Sequence, residues 1–325
     1  MMDKQTKVKI YENMYLTRLF EETTIKLFEN GEIAGWLHSG VGQELVGSTL
    51  CTLLNENDYI IPYHRSKSYF LARGVKPHGV LAEIMGKKDG ICGGVGGEAH
   101  LADIQHGLLG SSGILGAGMP ISLGTAFKQL YKNENAITIC SFGDGSVPQG
   151  AFHESLNFAA TWNLPIVFIC ENNFYAELSP ITVGMKQTNI GKKAEAYGIP
   201  GYSLDGYDLP VVYSALEEAI ERARTGGGPT LLEFKTYRWR GHFEGDPQIY
   251  RSKDEVEQWK SRDPLAALRN EILQEEAIEE NALKQMEQEL ASVMEDAVTF
   301  SRNSPIPDES FILSNVYVNN DGFEG

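Results

Sequence analysis

Ala136-Ile137-Thr138-Ile139-Cys140-Ser141-Phe142 runs directly into Gly143-Asp144-Gly145, and Leu164 to Cys170 runs on through Glu171 into Asn172-Asn173. Both runs are short, apolar and rich in β-branched residues, as buried parallel strands are. Between them, residues from about Pro148 to Trp162 read as a helix, with Pro148 suited to its first turn. Strand, helix and strand form one βαβ unit, whose right-handed crossover returns the chain parallel to its start. Asp144 and Asn173 then fall close together at the carboxyl edge of the sheet, where open α/β sheets bind ligands.

A carboxylate beside an amide oxygen suits a hard cation such as Mg²⁺ or Ca²⁺ holding a diphosphate. Gly143 and Gly145 let backbone approach phosphate closely, and the amino end of the following helix is expected to face the same anion. Ser146 is counted with Gly143, Asp144 and Gly145 among the cofactor-binding residues.

In this pattern the segment GDGSVPQGAFHESLNFAATWNLPIVFICENNFYA resembles the diphosphate motif of thiamine diphosphate enzymes. The match is to α subunits of 2-oxo acid dehydrogenase E1 components, a group that includes acetoin dehydrogenase. The resemblance extends from about Tyr15 to Pro264. It implies a thiamine diphosphate-binding α/β fold, with a mostly parallel central sheet flanked by helices. Its cofactors would be thiamine diphosphate and Mg²⁺ (or Ca²⁺), the metal held by Asp144, Asn173 and the backbone carbonyl of Tyr175. Asn172 would brace the turn instead.

Further positions carry family features. Tyr63-His64-Arg65 looks like the pair that contacts the diphosphate, where a guanidinium fork matches phosphate oxygens. The family usually continues with glycine and histidine, whereas this chain has Ser66-Lys67-Ser68, and Lys67 is read as an exposed loop lysine. Backbone groups at Gly113 and Leu115 would hold the aminopyrimidine. Arg238 and His242, in Arg238-Trp239-Arg240-Gly241-His242, would reach the diphosphate and the reaction centre. There an imidazole can move protons or stabilise developing charge. His38 resembles a residue at the mouth of the family's active site and is the second catalytic candidate. His100 matches a recurrent position without a chemical role. Gly116-Ala117-Gly118 lacks the third glycine, the preceding strand and the following acid of a dinucleotide fingerprint.

The expected organisation is one domain over residues 1–325, with an amino-terminal helix within residues 1–30 and a charged helical region over residues 265–302 as extensions. Apolar residues from Val8 to Glu29 recur at helical spacing up to Asn30-Gly31. Gly86 to Gly124 reads as long loops around a ligand, and Thr230 to Trp239 as the last strand. A net charge of −16 argues against nucleic acid and anionic membrane as partners. Four cysteines show no metal-ligand spacing, and no apolar h-region stands near the amino terminus. A cytoplasmic protein is expected.

The resemblance implies cleavage of a C–C bond next to a carbonyl and transfer of the acyl group to a lipoyl-bearing E2. Pyruvate, acetoin and branched 2-oxo acids remain open as substrates. It further implies an α₂β₂ assembly, since the family takes an activating glutamate from a β chain. Glu44 and Glu98 are the nearest internal candidates, and 325 residues leave little room for a second α/β domain. A carboligase or decarboxylase working without E2 is an alternative, as is a phosphate-binding module without catalysis.

Overall fold

A computed structural model describes residues 2–314. Helix α1 (Lys4–Glu29) opens at Asp3, whose side chain accepts from the Thr6 amide, and closes at Asn30 before Gly31 at φ +76°. There follow α2 (Glu44–Leu53), β1 (Tyr59–Ile61), α3 (Lys67–Ala72), α4 (Pro77–Ile84), α5 (Gly118–Tyr131), β2 (Thr138–Gly143), α6 (Gly150–Thr161) and β3 (Ile166–Asn172). A two-stranded ribbon, β4 (Tyr175–Ala176) with β5 (Ser179–Pro180), leads into α7 (Ile181–Gly184). Then come β6 (Gly201–Asp205), α8 (Leu209–Arg224), β7 (Thr230–Lys235), α9 (Lys253–Lys260), α10 (Pro264–Gln274), α11 (Glu280–Asn303) and α12 (Glu309–Ser314).

Five strands pair in the order β1-β2-β3-β7-β6, all parallel. The central strand β3 is buried along its whole length. Its side chains alternate between two cores, as a strand covered on both faces requires. Val167 and Ile169 join the core built with α1, α2 and α8, while Phe168 and Cys170 join the one built with α5 and α6. This is the expected α/β architecture, a parallel sheet flanked by helices. Cys140 and Cys170 are free thiols in its core.

Several boundaries differ from the sequence reading, each for a local reason. Helix α6 starts at Gly150, because Asp144–Ser146 form a separate 3₁₀ turn and Pro148 lies between the two. Strand β7 stops at Lys235, four residues early. Its neighbours end there too, since Asn172 and Asp205 both register with Lys235. The glycine-rich stretch is loop only up to Ala117, after which α5 begins. The charged carboxyl-terminal region is helical as expected, and α11 packs back against α4. No helix among the described residues is long and apolar enough to cross a membrane.

The five strands of the sheet being parallel, the carboxyl ends of β1, β2, β3 and β7 meet at one edge. They deliver residues 62–65, 143–146, 172–175 and 236–242 to one place.

Candidate active site

A cavity of about 350 Å³ opens at that edge. Its wall includes every candidate site residue from the sequence: His38, His64, Arg65, Gly113, Leu115, Gly143, Asp144, Gly145, Ser146, Asn173, Tyr175, Arg238 and His242.

On the floor, the 3₁₀ turn that follows β2 buries Asp144. One carboxylate oxygen accepts from the Asn173 amide at 3.3 Å, and the other, Oδ2, is buried with no partner. Burial pushes the Asp144 carboxyl up to about 6, against the opposing effect of the Asn173 amide. Asn173 Oδ1 accepts from the Tyr175 amide at 3.3 Å. Asn172 braces the turn: its Oδ1 accepts from the Phe174 amide, which lets Phe174 sit at φ +69°, and its Nδ2 donates to buried Glu233.

Arg238 is the cationic counterpart. Its Nη2 donates to the Tyr250 hydroxyl at 2.9 Å and to the Glu177 carbonyl, while its buried Nε has no partner. Two residues of the cavity wall thus carry a partnerless carboxylate oxygen and a partnerless guanidinium N–H, and His64 Nδ1 and Ser141 Oγ on the same wall are partnerless as well. Buried polar groups in folded proteins ordinarily find partners, so these atoms mark a place built for a polar ligand. A divalent cation fits Asp144 Oδ2, and an anion fits Arg238 Nε. The donor set is oxygen only, as Mg²⁺ and Ca²⁺ prefer.

Three imidazoles ring the mouth: His38 lies 5.0 Å from His242 and 5.3 Å from His64, centroid to centroid. Burial and the neighbouring Arg65 charge hold His64 well below the usual histidine range, and the same two causes bring His242 down to about 3. Both rings are neutral at ordinary pH. Arg65 donates to the Ser39 carbonyl at 2.9 Å, to the His242 carbonyl at 2.6 Å and to His242 Nδ1 at 3.1 Å. Because Nδ1 accepts, His242 carries its proton on Nε2. The loop bearing His242 is fixed by Asp246, whose carboxylate accepts from the His242 amide at 2.7 Å and from the Tyr250 hydroxyl at 2.8 Å. A second tie runs from the Glu244 amide to the Leu37 carbonyl.

Lys67 is the clear correction. It is fully buried at the start of α3, with its ammonium 3.2 Å from Glu98 and 3.5 Å from Glu21, and it donates to the His38 carbonyl at 2.9 Å. The side chain is internal because it has two carboxylate partners, the condition on which charges are buried. Glu44 and Glu98, the internal candidates for an activating acid, are likewise engaged. Glu44 pairs with Arg18 at the start of α2, and Glu98 holds Lys67 and His38. His100 is exposed near Gly113 and does not line the cavity. Glu177, missed in the sequence, does line it, on the tip of the small ribbon at φ +55°. Its only sequence signal is its closeness to Tyr175.

This geometry agrees with relationships across the whole chain. Over 310 residues it is 44% identical to the α subunit of acetoin:2,6-dichlorophenolindophenol oxidoreductase of Bacillus subtilis (strain 168), covering 95% of this chain and 92% of that protein. It is 41% identical over 314 residues to the pyruvate dehydrogenase E1 component subunit alpha of Rickettsia felis, covering 97% and 96% respectively. The acetoin oxidoreductase α subunit of Cupriavidus necator is 39% identical over 318 residues, covering 98% and 96%. The family described as dehydrogenase E1 component matches residues 11–310, and the chain belongs to it.

Proposed function

We infer that this chain is the α subunit of a thiamine diphosphate-dependent E1 component, an oxidoreductase of the pyruvate and acetoin dehydrogenase type. It cleaves a C–C bond next to a carbonyl and, with a β subunit, passes the acyl group to a lipoyl-bearing E2. The observation that carries this reading is the pairing of two unsatisfied buried groups of opposite charge, Asp144 Oδ2 and Arg238 Nε, at the carboxyl edge of a parallel sheet. A metal-diphosphate ligand answers both at once.

In this reading Asp144, Asn173 and the Tyr175 carbonyl ligate Mg²⁺ or Ca²⁺. Arg238, His64 and Arg65 face the diphosphate, and backbone groups of Gly113 and Leu115 hold the aminopyrimidine. Bound thiamine diphosphate supplies an electron sink for the carbon–carbon cleavage. The chain's own contribution is to bind, orient and handle protons. His242, neutral and protonated on Nε2, offers a hydrogen-bond donor where negative charge develops on the substrate oxygen. Arg65, besides its charge, ties the His242 loop down over the cavity.

The test is a turnover panel of acetoin, pyruvate and branched 2-oxo acids, run with the β subunit and an artificial electron acceptor. Turnover of acetoin or pyruvate, dependent on thiamine diphosphate, is expected. Binding of NAD or ATP in place of thiamine diphosphate would overturn the reading.

A further inference from the structure

Lys67, Glu98 and His38 make a connected set on one side of the cavity mouth. Glu98 is buried, and its two oxygens have different partners. Oε1 accepts from the His38 amide at 3.0 Å and from the Lys67 ammonium at 3.2 Å, while Oε2 lies 3.0 Å from His38 Nδ1. Burial by itself would raise the Glu98 pKa. The Lys67 charge and the His38 hydrogen bond outweigh it and hold the carboxyl at about 2. Glu98 is therefore ionised and can only accept, so His38 Nδ1 must carry a proton. Lys67 is in turn held by Glu21 and by the His38 carbonyl.

We propose that Lys67 and Glu98 are positioning residues that hold the neutral form of His38 in the Nδ1–H tautomer, so that Nε2 is the nitrogen offered to the substrate as a proton acceptor. The arrangement rests on the function inferred above. It adds a division of labour across the mouth: His38 Nε2 accepts, and His242 Nε2–H, 5.0 Å away ring to ring, donates. Opposite tautomers follow from opposite partners, a carboxylate for one imidazole and a guanidinium for the other. A substrate carrying a hydroxyl beside a carbonyl presents the matching pair of groups, a proton to lose and an oxygen to stabilise.

The Glu98→Gln variant is a sharp probe of the tautomer. Two donors, the His38 amide and the Lys67 ammonium, converge on the Oε1 position, so the oxygen of the new amide must sit there. Its NH₂ then occupies the Oε2 position and donates to Nδ1, which forces the proton of His38 onto Nε2. Magic-angle-spinning nitrogen NMR of the full chain labelled at its histidines reads this directly whether or not the chain self-associates, with His38→Gln as the assignment control, and depends on neither cofactor nor partner. With the imidazole neutral, the wild type is expected to show the proton on Nδ1 and none on Nε2 at His38, and Glu98→Gln the reverse. In the assembled enzyme the same variant is expected to lower kcat by about 100-fold, the low end for loss of a positioned proton-transfer group, with thiamine diphosphate affinity changed less than about twofold. The Lys67→Met/Glu98→Gln double variant, which removes the buried ammonium that Glu98→Gln leaves with Glu21 as its remaining carboxylate, is expected to match it in kcat and guards against misfolding of the single variant. A wild-type His38 protonated on Nε2, or a tautomer unchanged by Glu98→Gln, would overturn the proposal. So would kcat that stays within twofold of wild type. Absence of thiamine diphosphate binding in the wild type would instead strike the function inferred above and leave the tautomer result standing.

Discussion

Asp144→Ala is expected to weaken thiamine diphosphate binding in the presence of Mg²⁺ by at least about 100-fold, roughly 3 kcal/mol. The loss follows from charge. A metal ion is the largest local charge in such a site, and without the carboxylate the diphosphate's own charge is poorly compensated. The partnerless Oδ2 is the atom whose loss matters, since Oδ1 already has the Asn173 amide. Asp144→Asn separates charge from shape and is expected to behave nearly as badly. Calorimetric titration with the cofactor reads the effect, and undiminished binding by either variant would sink the metal assignment.

Stability should move the other way. The folded-state pKa of Asp144 is raised from 3.8 to about 6, so the folded protein holds this proton more tightly than the unfolded chain does. Between those two values the folded state binds more protons, and the contribution of Asp144 to stability falls as pH rises. Above about pH 6, in the absence of cofactor, the ionised carboxylate is a liability. Asp144→Asn should then melt no lower than the wild type at pH 8 without cofactor, while losing the rise in Tm that cofactor and Mg²⁺ produce. A variant that melts lower under cofactor-free conditions would show Asp144 to be structural instead.

The parts of this arrangement legible in the sequence are those set by local pattern. Strands β2 and β3 announce themselves because both their faces are buried, which makes them continuously apolar, and the rule for parallel crossovers then places Asp144 beside Asn173. Strand β1 has three residues and β6 lies at the sheet edge with Tyr202 half-exposed, so neither leaves an apolar run to read. The burial of Lys67 was illegible for a different reason. A lysine becomes internal only when carboxylates meet it, and Glu21 and Glu98 come from α1 and from the glycine-rich loop. Nothing in Ser66-Lys67-Ser68 reports on partners so distant along the chain. The histidine tautomers are still further from the sequence, since each depends on which atom of a distant residue arrives at Nδ1.

The chain on its own is expected to turn over acetoin or pyruvate at least about 100-fold more slowly than with its β subunit, the effect of lacking a positioned acid or base. Thiamine chemistry needs a carboxylate that activates the cofactor from its pyrimidine side. Among the described residues, the carboxylates on the cavity wall are Asp144 and Glu177. Asp144 is committed to the metal in this reading, and Glu177 is exposed on the ribbon beside Tyr175. Glu44 is locked to Arg18, and Glu98 to Lys67 and His38, so neither is free for the task. In the reading proposed above, the activating acid is supplied by another chain. The surface offers apolar area for one: Ile114 on the cavity wall, Ile121 and Tyr131 on α5, Trp162 at the end of α6, and Val183 in α7 are all more than half exposed. Without the β subunit the purified chain should therefore self-associate, and sedimentation should show the aggregates resolving into a defined heteromer when β is added. Glu177→Gln in the assembled enzyme decides the rival assignment, because turnover within a factor of two or so of wild type is expected if the acid is supplied by β. Full rates from the homogeneous chain, abolished by Glu177→Gln, would place the acid in this subunit and favour a carboligase that works alone.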